Sequence, residues 1–280
     1  MKKLFLIDGM ALIYRSFYAF INNPLTTKDG FPTSAIYGFF NSISKILKEE
    51  SPDYIAIAMD SQKPTFRHVL YDSYKANRKK MPDDLRLQIP EINKIITKCK
   101  LNLLIKEGYE ADDIIGTLQK QLAGERPAII VTRDKDLGQL LRAEDLLWDF
   151  AADAYAGPAE IKAKFGVDPD QIADYLALAG DTVDNIPGVK GVGAKSAAVL
   201  LNHFGDIQGL YERIEEIEDI GLRGAKKIKS TLIEQEAMVR MFRRITSIMC
   251  DIQLEVGLED LRLVPVDSNK VAEFCQRMNF

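Results

Sequence analysis

The sequence predicts an α/β fold: a mostly parallel central sheet flanked by helices, over residues 1–168, followed by a helical region over 169–280. Three observations predict it. Four short apolar runs each lead into acidic residues, helical stretches lie between them, and beyond residue 168 the patterns read as helices.

The first run, Lys3 to Ile7, ends in Asp8-Gly9 and reads as a buried strand. A helix over Ser34–Glu49 leads to the second, Tyr54 to Met59, which ends in Asp60. The third, Leu101 to Ile105, precedes Gly-Tyr-Glu-Ala-Asp-Asp-Ile-Ile-Gly-Thr at Gly108–Thr117, and the fourth, Ala128 to Thr132, leads into Arg133-Asp134-Lys135-Asp136. Parallel sheets bind ligands beyond the carboxyl ends of their strands. Asp8, Asp60, Glu110, Asp112, Asp113, Asp134 and Asp136 are therefore expected on one rim. One strand-end aspartate is ordinarily a turn or helix cap; seven on one rim are not seven caps.

The stretch after Gly108 concentrates this signal. Ala111, Ile114, Ile115, Leu118 and Leu122 share one helical face, so three carboxylates crowd the first turn of a buried helix. Capping and the helix dipole account for one or two of them. A third raises its neighbours' pKa values unless a cation sits among them. A further helical pattern, Pro169 to Ala179, ends at Gly180-Asp181-Thr182-Val183-Asp184-Asn185 and adds Asp181 and Asp184. All nine are hard oxygen donors suited to magnesium or manganese. Two such ions roughly 3.5–4 Å apart are the arrangement used for phosphodiester cleavage.

Composition narrows the alternatives. Two histidines, His68 and His203, leave little for a Ser/His/Asp triad. Cys99, Cys250 and Cys275 form no CxxC, so neither a disulfide framework nor structural zinc is indicated, and a reducing cytoplasm fits. The basic start, Met1-Lys2-Lys3, is followed by an apolar run too short for export or membrane insertion. A soluble protein without a membrane partner is expected.

After Asp184 comes Ile186-Pro187-Gly188-Val189-Lys190-Gly191-Val192-Gly193-Ala194-Lys195-Ser196. Ala194 interrupts a Walker A spacing, and Gly191-Val-Gly193 lacks the third glycine of a dinucleotide fingerprint. A glycine hairpin feeding a helix near Ala194 remains. It turns bare amides, a helix start, Lys195 and Ser196 toward one phosphate. Between Phe66 and Lys80, Arg67, Lys75, Arg78, Lys79 and Lys80 face only Asp72, with Phe66, Tyr71 and Tyr74 interleaved, as a surface that grips phosphates and stacks bases requires. Arg223, Lys226, Lys227 and Lys229 form a second basic cluster. The net charge of −4 is compatible with a nucleic-acid partner, because the nine acids are segregated into one pocket.

Asp8-Gly9, Tyr14-Arg15, Tyr74-Lys75-x-x-Arg78 with Met81-Pro82, Glu110-Ala-Asp-Asp, Asp134-Lys-Asp136 and Gly180-Asp181-x-x-Asp184-Asn185-Ile-Pro-Gly resemble the 5′ nuclease, or flap endonuclease, family along nearly the whole chain. The likeness is closest to the nuclease domains that precede bacterial polymerases. It implies a PIN-like core with a helical arch near residues 66–95 and a helix-hairpin-helix motif near 181–205. It also implies 5′→3′ exonuclease and flap endonuclease activity on branched or nicked DNA and on RNA primers in RNA–DNA hybrids, by a monomer in a bacterial cytoplasm.

The resemblance carries over residue by residue. One metal site would draw on Asp8, Asp60, Glu110 and Asp112 and a second on Asp134, Asp136 and Asp181, with Asp113 and Asp184 acting directly or through waters. Lys75 and Arg78 would hold the scissile phosphate, Tyr74 and Arg15 would position the nucleotide, and the Gly188–Lys195 hairpin would grip duplex DNA around a potassium ion. Arg133, where many relatives carry a small residue, is expected to pair with a metal ligand. Ser268–Phe280 resembles the junction at which relatives continue into a fused polymerase.

Other classes fit less well. A non-catalytic branched-DNA-binding module would need the hairpin and basic clusters but not nine acids. An aspartyl phosphatase wants Asp-x-Asp after the first strand, where Asp8-Gly9-Met10 stands, and a small PIN-type ribonuclease has no use for the hairpin.

Overall fold

The computed structural model describes residues 3–124 and 126–280; Met1 and Lys2 of the basic start lie outside them. All four apolar runs become strands: β1 (Leu4–Asp8), β2 (Tyr54–Met59), β3 (Asn102–Ile105) and β4 (Ala128–Val131). Two short strands, β5 (Leu146–Asp149) and β6 (Ala154–Ala156), complete a six-stranded sheet in the order β3-β2-β1-β4-β5-β6. Every pairing is parallel except β5–β6.

The apolar runs are continuous because helices cover both faces of the sheet. Leu4 and Leu6 point into one buried cluster with Ile114, Ile115 and Leu118 of α5 (Ala111–Leu122), while Phe5 and Ile7 point into the other. The second cluster takes in α1 (Gly9–Ala19), α2 (Ser34–Glu49) and α4 (Asp83–Lys98), with α3 (Phe66–Leu70) lying between β2 and α4. β1 is central, with β2 on one side and β4 on the other. The chain reverses its strand order there, and a crevice opens at the carboxyl ends of β1 and β4.

Beyond β6 follow α6 (Pro158–Phe165), α7 (Ile172–Ala179), α8 (Ala194–Phe204), α9 (Ile207–Glu212), α10 (Ala225–Glu234), α11 (Glu236–Thr246) and α12 (Ser268–Met278). Two expectations change. The 66–95 arch divides, because Leu85, Ile92, Ile95 and Ile96 bury α4 against the sheet. Only residues 71–82 are left without a regular element between α3 and α4. The chain end, expected within the helical region, returns to the sheet: Leu263 N–H donates to Asp53 O at 2.9 Å, and Phe274 of α12 packs on Phe40 of α2.

Candidate active site

Asp8 closes β1 and caps α1, accepting the Ala11 amide at 2.9 Å and the Thr132 hydroxyl at 2.9 Å. Only glycine fits after it, since a Cβ on Gly9 would lie 2.3 Å from Met59 Sδ and 2.9 Å from Ala58 O. Asp60, just past β2, accepts the Ala111 amide at 2.8 Å. Glu110 caps α5, and Asp112 occupies its first turn. Asp134 follows β4 and accepts the Asp136 amide at 2.9 Å. Asp181 and Asp184 come from the turn after α7, which Asp181 and Ile186 close with reciprocal backbone bonds of 2.8 and 2.7 Å.

Seven of the nine acids line one cleft of about 450 Å³: Asp8, Asp60, Asp112, Asp134, Asp136, Asp181 and Asp184. Carboxylate oxygens of Asp136, Asp181 and Asp184 lie within 4.8 Å of one another, and a buried oxygen of Asp136 has no hydrogen-bond partner. That orphaned atom in a set of hard donors is what a divalent-cation site leaves in the protein. Glu110 lies beside the cleft, held by the Tyr74 hydroxyl at 3.0 Å and Lys75 Nζ at 2.8 Å.

Asp113 is a correction. Its carboxylate is fully buried and points away from the cleft, accepting both guanidinium nitrogens of Arg67 at 2.7 Å and the amides of Glu110 and Met249. Arg67, expected on DNA, is only 2% exposed and also donates to the carbonyls of Ile245 and Ser247. The pair ties α3 and α5 to the end of α11 and is structural. Tyr74 is likewise buried, bridging Glu110 and Asp184 rather than offering a ring for stacking, and Tyr71 packs on Phe242. Arg15 stacks over Phe150, outside the lining of the cleft. Arg133 pairs with Asp149 at 3.3 Å, not with a metal ligand.

Lys75 and Arg78 do line the cleft, and Arg78 reaches Asp184 at 2.6 Å. Burial works against the charge on Lys75, but Glu110 and Asp184 outweigh it and raise its pKa. Lys79 and Lys80 stand exposed nearby. Tyr14 and Lys135 were missed as site residues. Tyr14 follows Met10 by one helical turn on the cleft face of α1, a spacing that could have flagged it. Lys135 lies 3.3 Å from Asp181, a contact between segments far apart in sequence that no local pattern reveals.

The hairpin forms as expected. Gly188 adopts φ +66° and packs so closely that a Cβ would lie 2.4 Å from Gly180 N. Val189 and Val192 anchor it inward, while Gly191 and Gly193 face open space and Gly193 starts α8. Lys195 is exposed and Ser196 half-buried in the first turn of α8.

Burial, with Asp60 and Asp134 adding to it, raises the Asp8 carboxyl to about 6. Burial followed by Asp134 and Asp8 pushes Asp112 well above the carboxylate range, and burial with Asp134 and Asp181 does the same to Asp136. The folded value of Asp8 exceeds its ordinary 3.8. Its contribution to stability is thus complete below about pH 4 and lost as pH rises through about 6. In chelator, thermal stability is expected to fall across that window, by roughly 3 kcal/mol from Asp8 alone. Magnesium should flatten the fall. A melting temperature that rises over the same window in chelator would contradict this electrostatic picture.

Comparison with known proteins agrees with this geometry. The family model for the N-terminal resolvase-like domain of 5′-3′ exonucleases matches residues 3–166, and that for their C-terminal SAM fold matches 167–269. A 5′-3′ exonuclease of Aquifex aeolicus is 36% identical, the match covering 99% of this chain and 92% of that protein. DNA polymerase I of Caldicellulosiruptor bescii is 38% identical over 99% of this chain, which spans 32% of that longer protein. The flap endonuclease of bacteriophage T5, solved with DNA and metal ions, shares the fold at a TM-score of 0.72 and 21% identity, with both chains fully covered. Sequence matches across both halves, with a relative of nearly the same length, lead to one conclusion: the chain belongs to the 5′-3′ exonuclease family.

Proposed function

We propose that this chain is a structure-selective 5′ nuclease that hydrolyses phosphodiester bonds at 5′ ends, 5′ flaps and RNA primers of branched or nicked DNA in a bacterial cytoplasm. The observation that carries the reading is the convergence of seven acids with Lys75 and Arg78 on one cleft at the switch point of a parallel sheet. No helix among the described residues is long and apolar enough to cross a membrane.

Asp8, Asp60, Glu110 and Asp112 would hold one divalent ion, and Asp134, Asp136, Asp181 and Asp184 a second. Magnesium or manganese there would supply an activated water and neutralise charge on the scissile phosphate. The protein's own cations do the rest. Lys75 and Arg78, at the cleft, take the phosphate and oppose the charge that builds on it. Tyr14, stacked with Tyr18 on α1, gives the cleft an aromatic wall for a base. The bare amides at Gly191 and Gly193, with Lys195 and Ser196, suit a duplex phosphate.

Cleavage of an end-labelled 5′-flap duplex, compared with a plain single strand in magnesium, manganese and chelator, tests the reading. Metal-dependent release of the flap near the junction is expected, with the single strand cut at least about tenfold more slowly, a difference of 1.4 kcal/mol or more. Tight binding of the flap duplex without cutting in either metal would replace the nuclease with a DNA-binding module.

A further inference from the structure

We propose that Asn77 and Asn185 are positioning residues that stitch the segment carrying Lys75 and Arg78 onto the Asp181–Ile186 turn; the proposal rests on the nuclease reading above. Residues 71–82 contain no helix or strand; Tyr71 and Tyr74 pack near their start. Two side-chain amides hold the stretch around Lys75. Asn185 Nδ2 donates to Ser73 O at 2.7 Å, and Asn77 Nδ2 donates to Thr182 O at 2.7 Å. The bonds are reciprocal: one reaches from the turn to the segment, the other from the segment to the turn. Between them the Lys75 amide donates to Asp184 O at 3.0 Å.

The backbone is committed at the same two places. Lys75 and Asn185 have φ of +56° and +58°, left-handed conformations that lysine adopts at a cost and asparagine tolerates better. The stitch explains how that conformation is kept. It also solves a problem that the charges cannot. Lys75 Nζ and Arg78 Nη2 bind Glu110 and Asp184, but a substrate phosphate would compete for the same two cations. If those ion pairs alone held the segment, taking the phosphate would release it. Neutral amide-to-carbonyl bonds leave both cations free to engage a phosphate while keeping them over the cleft.

Asn185→Asp keeps the shape and the left-handed tolerance but turns an acceptor toward Ser73 O; Asn77→Ala removes the other bond. Each is expected to lower the single-turnover rate on the flap duplex by about 10- to 100-fold. Flap-duplex affinity and manganese affinity should stay within about threefold and the melting temperature should not move. In an Arg78→Ala background the cost of Asn185→Asp should shrink at least about fivefold, because residues acting through one another are not additive. Hydrogen exchange gives a readout independent of cleavage: it should quicken in residues 71–82 of Asn185→Asp and nowhere else. A full, additive loss in the Arg78→Ala background, or unchanged exchange in 71–82, would overturn the proposal. Absence of cleavage by the unmutated protein would instead count against the nuclease reading, with the exchange result still deciding the stitch.

Discussion

Asp112→Asn is expected to lower flap cleavage by on the order of 10³-fold or more, about 4 kcal/mol of transition-state stabilisation, while flap-duplex affinity in chelator stays within about threefold. Asp112 stands in the first turn of α5 and lines the cleft, where Asp134 and Asp8 press on it from two other segments and Glu110 from the cap of its own helix. Asparagine preserves the size and one oxygen but removes the charge that a hard cation requires. The fold has little reason to object, because neutralising one of several crowded carboxylates relieves repulsion. Single-turnover cleavage with parallel binding measurements separates the two effects. Cleavage retained within tenfold of the unmutated protein would remove Asp112 from the proposed ligands.

Arg67→Ala should act in the opposite sense, through stability. The guanidinium makes two 2.7 Å bonds to Asp113 and two more of 2.8 Å to the carbonyls of Ile245 and Ser247, all in the interior. Truncation leaves the Asp113 carboxylate buried without its counter-ion and two carbonyls without their donor, which typically costs about 3–5 kcal/mol. For a chain of this size that lowers the melting temperature by roughly 10 °C. Replacing both partners with apolar residues should not restore stability, because the Glu110 and Met249 amides would then lose their acceptor. The salt dependence of DNA binding is expected to stay the same. A surface contact to phosphate would instead reduce the slope by about one. A reduced slope with unchanged melting would return Arg67 to the DNA surface.

Adjacent residues of one helix turn serve different ends. Asp112 and Asp113 are adjacent and chemically identical, yet one lines the cleft and the other is fully buried against Arg67. Helical spacing placed both in the first turn of α5, but which acid faced the crevice depended on where α3 and α11 packed.

The four principal strands, the acids at their carboxyl ends, the helix that Glu110 caps and the glycine hairpin are legible in the order of residues alone. Those features are local: an apolar run buried on both faces, a cap, a glycine held at positive φ. The remaining features come from long-range packing. It set α12 on α2, laid α4 on the core, and paired Arg133 with Asp149. It buried Tyr74 between Glu110 and Asp184 and joined Asn185 to Ser73. Each of these depends on a side chain meeting a partner many residues away, and composition and spacing carry no record of that direction. Strand order brought the acids to one rim; packing chose which of them face the cleft.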